Sequence, residues 1–245
     1  MARRPWLGCR LFLAILILLL VLFPALEEMA RPILLIAAVA SVFVVGVVAV
    51  NPGPSRVKTA IMLASAQIVL TGAAVVLGAN PLLYVRTVTL GLATTAVLIV
   101  YCIYCVLRYV LESYSITRDQ IYAGICVYLM IGFAFGCIYY LVNILNPGCF
   151  ALNNTRLADP RIPDLMYFSF VTLATLGYGD ITPVTKAARA LAQVEALAGM
   201  LYIAVFMARL VTLQSAGSGD PGVAASAEPS QKQAAGAWRE GGRAL

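Results

Sequence analysis

One six-residue run constrains this chain more than any other: Thr175-Leu176-Gly177-Tyr178-Gly179-Asp180. Two glycines flank an aromatic residue, a threonine precedes them and a carboxylate follows. The run falls in a stretch too short to cross a membrane. On either side lie hydrophobic segments, Gln120–Leu145 and Ala188–Leu213, that are long enough to do so. Irregular backbone at membrane depth leaves N–H and C=O groups without partners. It is tolerated only where it is buried in protein or lines water. The run therefore has to line something, and a pore is the economical answer.

The membrane setting follows from composition. The chain is 62% hydrophobic and 11% charged, with mean hydropathy +0.91. A soluble domain of 245 residues could not keep that much apolar surface from water. Six segments approach the roughly 20 apolar residues of a spanning helix. They are Leu11–Leu26, Ile33–Val50, Ala60–Ala79, Val85–Val110, Gln120–Leu145 and Ala188–Leu213. The first is short and follows a basic start, Met1–Arg10. A retained helix and a cleaved leader both stay open, although Phe23-Pro24-Ala25-Leu26-Glu27-Glu28 is a poor cleavage site.

Basic residues orient the segments. Arg3, Arg4 and Arg10 precede the first, Arg56 and Lys58 separate the second and third, and Arg108 and Arg118 flank the link from fourth to fifth. With alternating spans, these share one side, so both termini are expected in the cytoplasm and the chain in a plasma (inner) membrane. The glycine-containing run then enters from outside, although Arg156, Arg161, Lys186 and Arg189 run against the count. The net charge of +6 reads as orientation; no clustered basic groove for nucleic acid is present. Cys102 and Cys105 lie inside an apolar segment of a chain without histidine, which argues against a metal or redox site. Cys137 and Cys149 could approach each other, but spacing does not establish a disulfide. Asn153-Asn154-Thr155 matches a glycosylation triplet in the expected outer loop, a match that chance often produces.

The chemistry of the run is specific. Dehydrating a cation such as potassium requires oxygen ligands in place of water. Stacked backbone carbonyls from Thr175 to Gly179 would supply them, with the Thr175 hydroxyl innermost. Gly177 and Gly179 can adopt backbone angles closed to other residues, so that successive carbonyls all point inward. Leu176 and Tyr178 are expected to wedge outward against a short helix. That helix begins at Pro163 and Asp164, a proline and an acid suited to a first turn, and ends near Ala174. Its C-terminal end carries partial negative charge that would favour a cation.

From Asp164 to Leu213 the chain resembles the pore domain of tetrameric potassium channels, over about 95 residues if the helix before it is included. Tyr167-Phe168 stands where the family has an aromatic pair. Thr175–Asp180 matches the selectivity filter, and Ile181-Thr182-Pro183 continues it. Gly199 stands where the family has an inner-helix hinge. The ending Gly199-Met200-Leu201-Tyr202-Ile203-Ala204 is similar to small bacterial six-segment channels. Three departures stand out: Leu176 for a common valine, Ala174 for threonine and Phe168 for tryptophan. The last cannot donate a hydrogen bond to Tyr178, whereas Tyr167 can still donate to Asp180 and brace the outer filter.

The resemblance implies an all-α membrane protein with six transmembrane helices and a re-entrant pore helix and filter between the fifth and sixth. It divides the chain into a four-helix region (1–119), a pore domain (120–213) and a disordered cytoplasmic tail (214–245). It implies passive potassium conduction. One filter strand cannot encircle an ion, so a homotetramer in the lipid bilayer is expected. The partners are potassium ions, lipid and further copies of the chain, with no cofactor. A non-selective monovalent cation channel is the alternative. An enzyme is not expected: without histidine no Ser/His/Asp set exists, and Asp119 and Glu195 make no convincing acid–base pair.

The fourth segment has Arg86 and Arg108 at its ends and no charge between, so it lacks the arginines of a voltage sensor. Gly199 is either a gating hinge or a close-packing residue. Met200, Ile203 and Met207 share a helical face that either lines the cavity or meets lipid or protein. Glu195, inside a spanning segment, is either structural, bonding to Thr172 or a backbone group, or pH-sensitive. Arg209 is expected to snorkel to the headgroups.

Overall fold

The computed structural model describes residues 5–29, 39–46, 48, 54–76, 80–112, 117–153, 155–156 and 160–217. Seven helices run in order among them: α1 (Pro5–Met29), α2 (39–46), α3 (Pro54–Val76), α4 (Pro81–Glu112), α5 (Arg118–Leu145), α6 (Ile162–Leu173) and α7 (Lys186–Gly217). Three short strands accompany them: β1 (Phe150–Leu152), β2 (Thr155–Arg156) and β3 (Ile181–Pro183).

Among the described residues, four helices are long and apolar enough to cross a membrane: Ser55–Ala74 in α3, Leu82–Glu112 in α4, Arg118–Leu145 in α5 and Lys186–Thr212 in α7. α1 holds a shorter apolar stretch, Gly8–Phe23, and its helix continues through Met29 across the poor cleavage site. The expected segment Ile33–Val50 lies partly outside the described residues. α7 stays helical through Gly217, past the expected start of a tail at 214; residues 218–245 lie outside the described residues.

The chain forms one compact unit to Phe206, and Met207–Gly217 continue α7. The core of this unit has two clusters. In the larger, α1, α2, α4 and α5 pack together with Ala60 of α3 and reach Ile162 and Met166 of α6. Phe133 of α5 is its junction. It meets Phe23 of α1, Phe43 of α2 and Phe170 of α6 edge to face, with centroids 5.4–6.5 Å apart. Such pairs add about 0.5–1.5 kcal/mol each beyond the area they bury. One ring thus touches two N-terminal helices and the short helix. The smaller cluster joins Tyr139 of α5, Phe150 of β1, Leu165 and Phe168 of α6, Ile181 of β3 and Ala188 of α7.

α6 sits close on α5 because Gly132 and Gly136 make a groove one turn long. A Cβ on Gly132 would come within 2.6 Å of the Phe170 ring, and one on Gly136 within 2.5 Å of Met166 Sδ. Small residues admit such close approach between helices in membranes. All six cysteines are buried free thiols, so Cys137 and Cys149 are not joined.

Candidate functional site

α6 starts as its sequence requires. Pro163 occupies the first turn, and the Asp164 carboxylate accepts the Arg161 backbone N–H at 3.0 Å. Both satisfy or remove donors that a helix N-terminus leaves open. The helix is 12 residues long, about 18 Å at 1.5 Å per residue, little more than half of a hydrocarbon core.

Its C-terminus makes a defined reversal. The Leu176 N–H donates to the Val171 carbonyl at 2.9 Å and the Thr175 N–H to the Thr172 carbonyl at 3.0 Å. This pair of bonds is a Schellman motif, whose turning residue must be left-handed. Here that residue is Thr175, at φ 57°. Glycine is the usual choice, and a β-branched residue there is strained by about 1–3 kcal/mol. Gly177 follows at φ 57° and Gly179 at φ 78°, so every second residue from 175 to 179 has positive φ. Alternation of this kind turns successive peptide planes so that their carbonyls can share one edge. Added Cβ atoms at Gly177 and Gly179 would meet nothing within 4 Å, so the glycines serve the backbone angle and not local packing.

Leu176 and Tyr178, expected from sequence to wedge outward against the short helix, leave much of their surface open in the single chain. They are 57% and 67% exposed. Phe168 is buried instead, in a triad with Tyr139 and Phe150 at centroid distances of 5.1 and 5.3 Å. Tyr167 is exposed. Its phenol is raised above the ordinary pKa, first by hydrogen bonding to the Asp180 carboxylate and then by burial.

Beyond the run, the chain is tied back by a small antiparallel sheet of order β2-β1-β3, with Ala151 opposite Thr182 and also opposite Arg156. The Asn153 N–H donates to the Asp180 carbonyl at 2.9 Å, and the Val184 N–H to the Cys149 carbonyl at 2.8 Å. The polar loop expected between α5 and α6 thus contains strands that hold the end of the run.

α7 passes the C-terminal end of α6. A Cβ on Gly199 would lie 2.6 Å from the Leu173 carbonyl oxygen, so the absent side chain is what lets the two helices meet. The same carbonyl accepts the Tyr128 hydroxyl at 3.1 Å. Met200, Ile203 and Met207 are exposed in the single chain. Glu195 is fully buried, one turn before Gly199. Its partners are neither Thr172 nor backbone: Tyr139 Oη donates to Oε2 at 2.5 Å, and Ser169 Oγ contacts Oε1. Sequence reasoning missed Tyr139 and Ser169. Their one signal was a hydroxyl at an apolar position.

Comparison with known proteins defines the class. Residues 126–215 match the family described as "Ion channel", a stretch that contains most of α5 and all of α6, the run and nearly all of α7. The chain therefore carries an ion-channel domain on a helical membrane scaffold. Over 97 residues, 39% of the chain, it is 35% identical to the two pore potassium channel c of Oryza sativa subsp. japonica. Over 100 residues, 41% of the chain, it is 31% identical to the two-pore potassium channel 3 of Arabidopsis thaliana. It spans only 20% of the length of each. Protein LctB of Bacillus caldotenax is 29% identical over 102 residues, 40% of the chain and 75% of that protein. No solved structure matches the chain. The chain is thus similar to potassium channels over about two fifths of its length.

Proposed function

We propose that this protein is a potassium-selective channel in which four copies place Thr175–Gly179 around a common axis. Backbone carbonyls of Thr175, Leu176, Gly177 and Tyr178 then replace the water of a potassium ion, with the Thr175 hydroxyl at the inner end. The observation that carries this reading is the alternation of positive φ at 175, 177 and 179 at the end of a helix too short to span. A cation entering such a stack exchanges one oxygen shell for another, and the alternating backbone is held ready for it. The α6 C-terminus adds partial negative charge where a dehydrating cation would wait.

Four-fold assembly is supported by what one chain leaves open. Each chain has one run, and one strand cannot encircle an ion. Leu176, Tyr178, Met200 and Ile203 are exposed, as side chains facing other copies or a cavity would be. The proposed plan has six spanning helices, both termini cytoplasmic and the filter entered from outside. Tyr167 and Asp180 brace the outer mouth, and Gly199 is the hinge of the inner helix. Gating by voltage is weak, because α4 carries Arg86 and Arg108 only near its ends. Steep voltage gating uses about 3–4 charges per subunit.

The test uses the purified full chain in planar bilayers, with potassium on one side and sodium on the other. A reversal potential near the potassium equilibrium value, with block by barium, is expected. A reversal near zero would replace potassium selectivity with a non-selective monovalent cation channel.

A further inference from the structure

Glu195, Ser169 and Tyr139 are each fully buried, and they come from three different helices, α7, α6 and α5. Three oxygen–oxygen contacts join them to each other and to α5. Tyr139 Oη meets Glu195 Oε2 at 2.5 Å, Ser169 Oγ meets Glu195 Oε1, and Ser169 Oγ meets the Gly132 carbonyl at 2.8 Å. Each contact needs one proton to be attractive. A carbonyl contributes none, and each hydroxyl contributes one. The two hydroxyls therefore supply two protons for three contacts. If Glu195 were a carboxylate, one contact would set lone pair against lone pair.

We infer that Glu195 is held as the neutral acid and donates its own proton to Ser169, closing a one-way chain of hydrogen bonds. The order is Tyr139 hydroxyl to Glu195 Oε2, Glu195 Oε1–H to Ser169 Oγ, and Ser169 Oγ–H to the Gly132 carbonyl. Every donor is then used. No charge is left in an interior where an unpaired carboxylate is costly. The titratable groups facing Glu195 are phenols of α5, Tyr139 in direct contact and Tyr128 nearby. No cationic side chain is among its hydrogen-bond partners in the described residues.

The chain of bonds makes Glu195 a positioning residue. It joins α6 to both long helices at Ser169, less than two turns before the Thr175 reversal. Its effect on conduction rests on the channel reading; its protonation does not.

Infrared spectroscopy of the full chain in membranes reads the protonation directly. A protonated carboxylic-acid carbonyl band is expected at neutral pH, lost in Glu195→Gln and kept in Asp119→Asn. Absence of that band, or its survival in Glu195→Gln, overturns the inference whether or not the protein conducts. In bilayers, Glu195→Gln should keep the wild-type reversal potential and duration of conduction. Its amide can donate to Ser169 while its carbonyl accepts from Tyr139. Ser169→Ala should shorten the conducting periods by roughly tenfold, the effect of one buried hydrogen-bond partner lost. Equal impairment of the two variants, or none in Ser169→Ala, would remove the positioning role. A wild-type chain that carries no potassium current would overturn the channel reading and leave the infrared result standing.

Discussion

The buried flank of α6 and the run that leaves its C-terminus are a few residues apart and built on opposite terms. On the flank, Leu165, Phe168 and Ser169 are buried against other elements of the same chain, and Ser169 has oxygen partners on both sides. In the run, residues 175–179 are all exposed and the backbone is held in alternating positive φ, with a β-branched residue at the turn. One region is complete within a chain. The other stores strain and leaves its side chains and glycines open in the single chain. Strain at a functional segment persists only when its surroundings over-determine it. Here the surroundings are the Schellman turn on one side and the β1–β3 pairing on the other.

That contrast can be broken from either side. Gly177→Ala attacks the run alone. It forces a side chain into a left-handed residue at about 1–2 kcal/mol, with room for the Cβ. Complete loss of potassium current with an almost unchanged melting temperature is expected, read by bilayer recording and thermal unfolding of one preparation. A melting temperature that fell with the current would mean the run also holds the fold together. Phe168→Ala attacks the flank. It empties the triad with Tyr139 and Phe150 and should cost about 3–5 kcal/mol of stability.

Gly199→Ala presses on the junction between α6 and α7. The added methyl group would overlap the Leu173 carbonyl, an overpacking worth about 1–3 kcal/mol. Stability is expected to drop, read by thermal unfolding, and open probability to change with it, as a hinge requires; an unchanged open probability would leave packing as the role of Gly199. Tyr167→Phe removes one exposed hydroxyl beside Asp180. A modest acceleration of inactivation is expected, from an interaction of about 0.5–1.5 kcal/mol. Unchanged inactivation and selectivity would dispose of the brace. The smallest effect is expected from Arg86→Gln with Arg108→Gln, which should leave the conductance–voltage curve in place. A measured gating charge of several units per channel would contradict that.

How much of this was legible beforehand depended on distance along the chain. The spans of α3, α4, α5 and α7 follow from runs of apolar residues, which need no partner to be recognised. Pro163 and Asp164 announce the start of α6 by local chemistry. The need for positive φ at Gly177 and Gly179 is equally local. Thr175 is different: threonine does not advertise a left-handed residue, and only the reversal after Leu173 imposes it. Strands β1, β2 and β3 are two or three residues long, too short for an alternating pattern, and exist because they pair with one another.

Glu195 draws the line most clearly. Its position in an apolar helix was enough to single it out, because a carboxylate there needs a reason. Its partners lie 56 and 26 residues away, on α5 and α6. No spacing rule connects them. By itself the sequence determined which backbone is irregular and which segments are apolar, since both are set by consecutive residues. The tertiary structure alone decided what stands behind that backbone: the Tyr139–Glu195–Ser169 chain, the Phe168 triad and the contact of Gly199 with Leu173. Each depends on side chains that meet only when helices distant in the chain pack together.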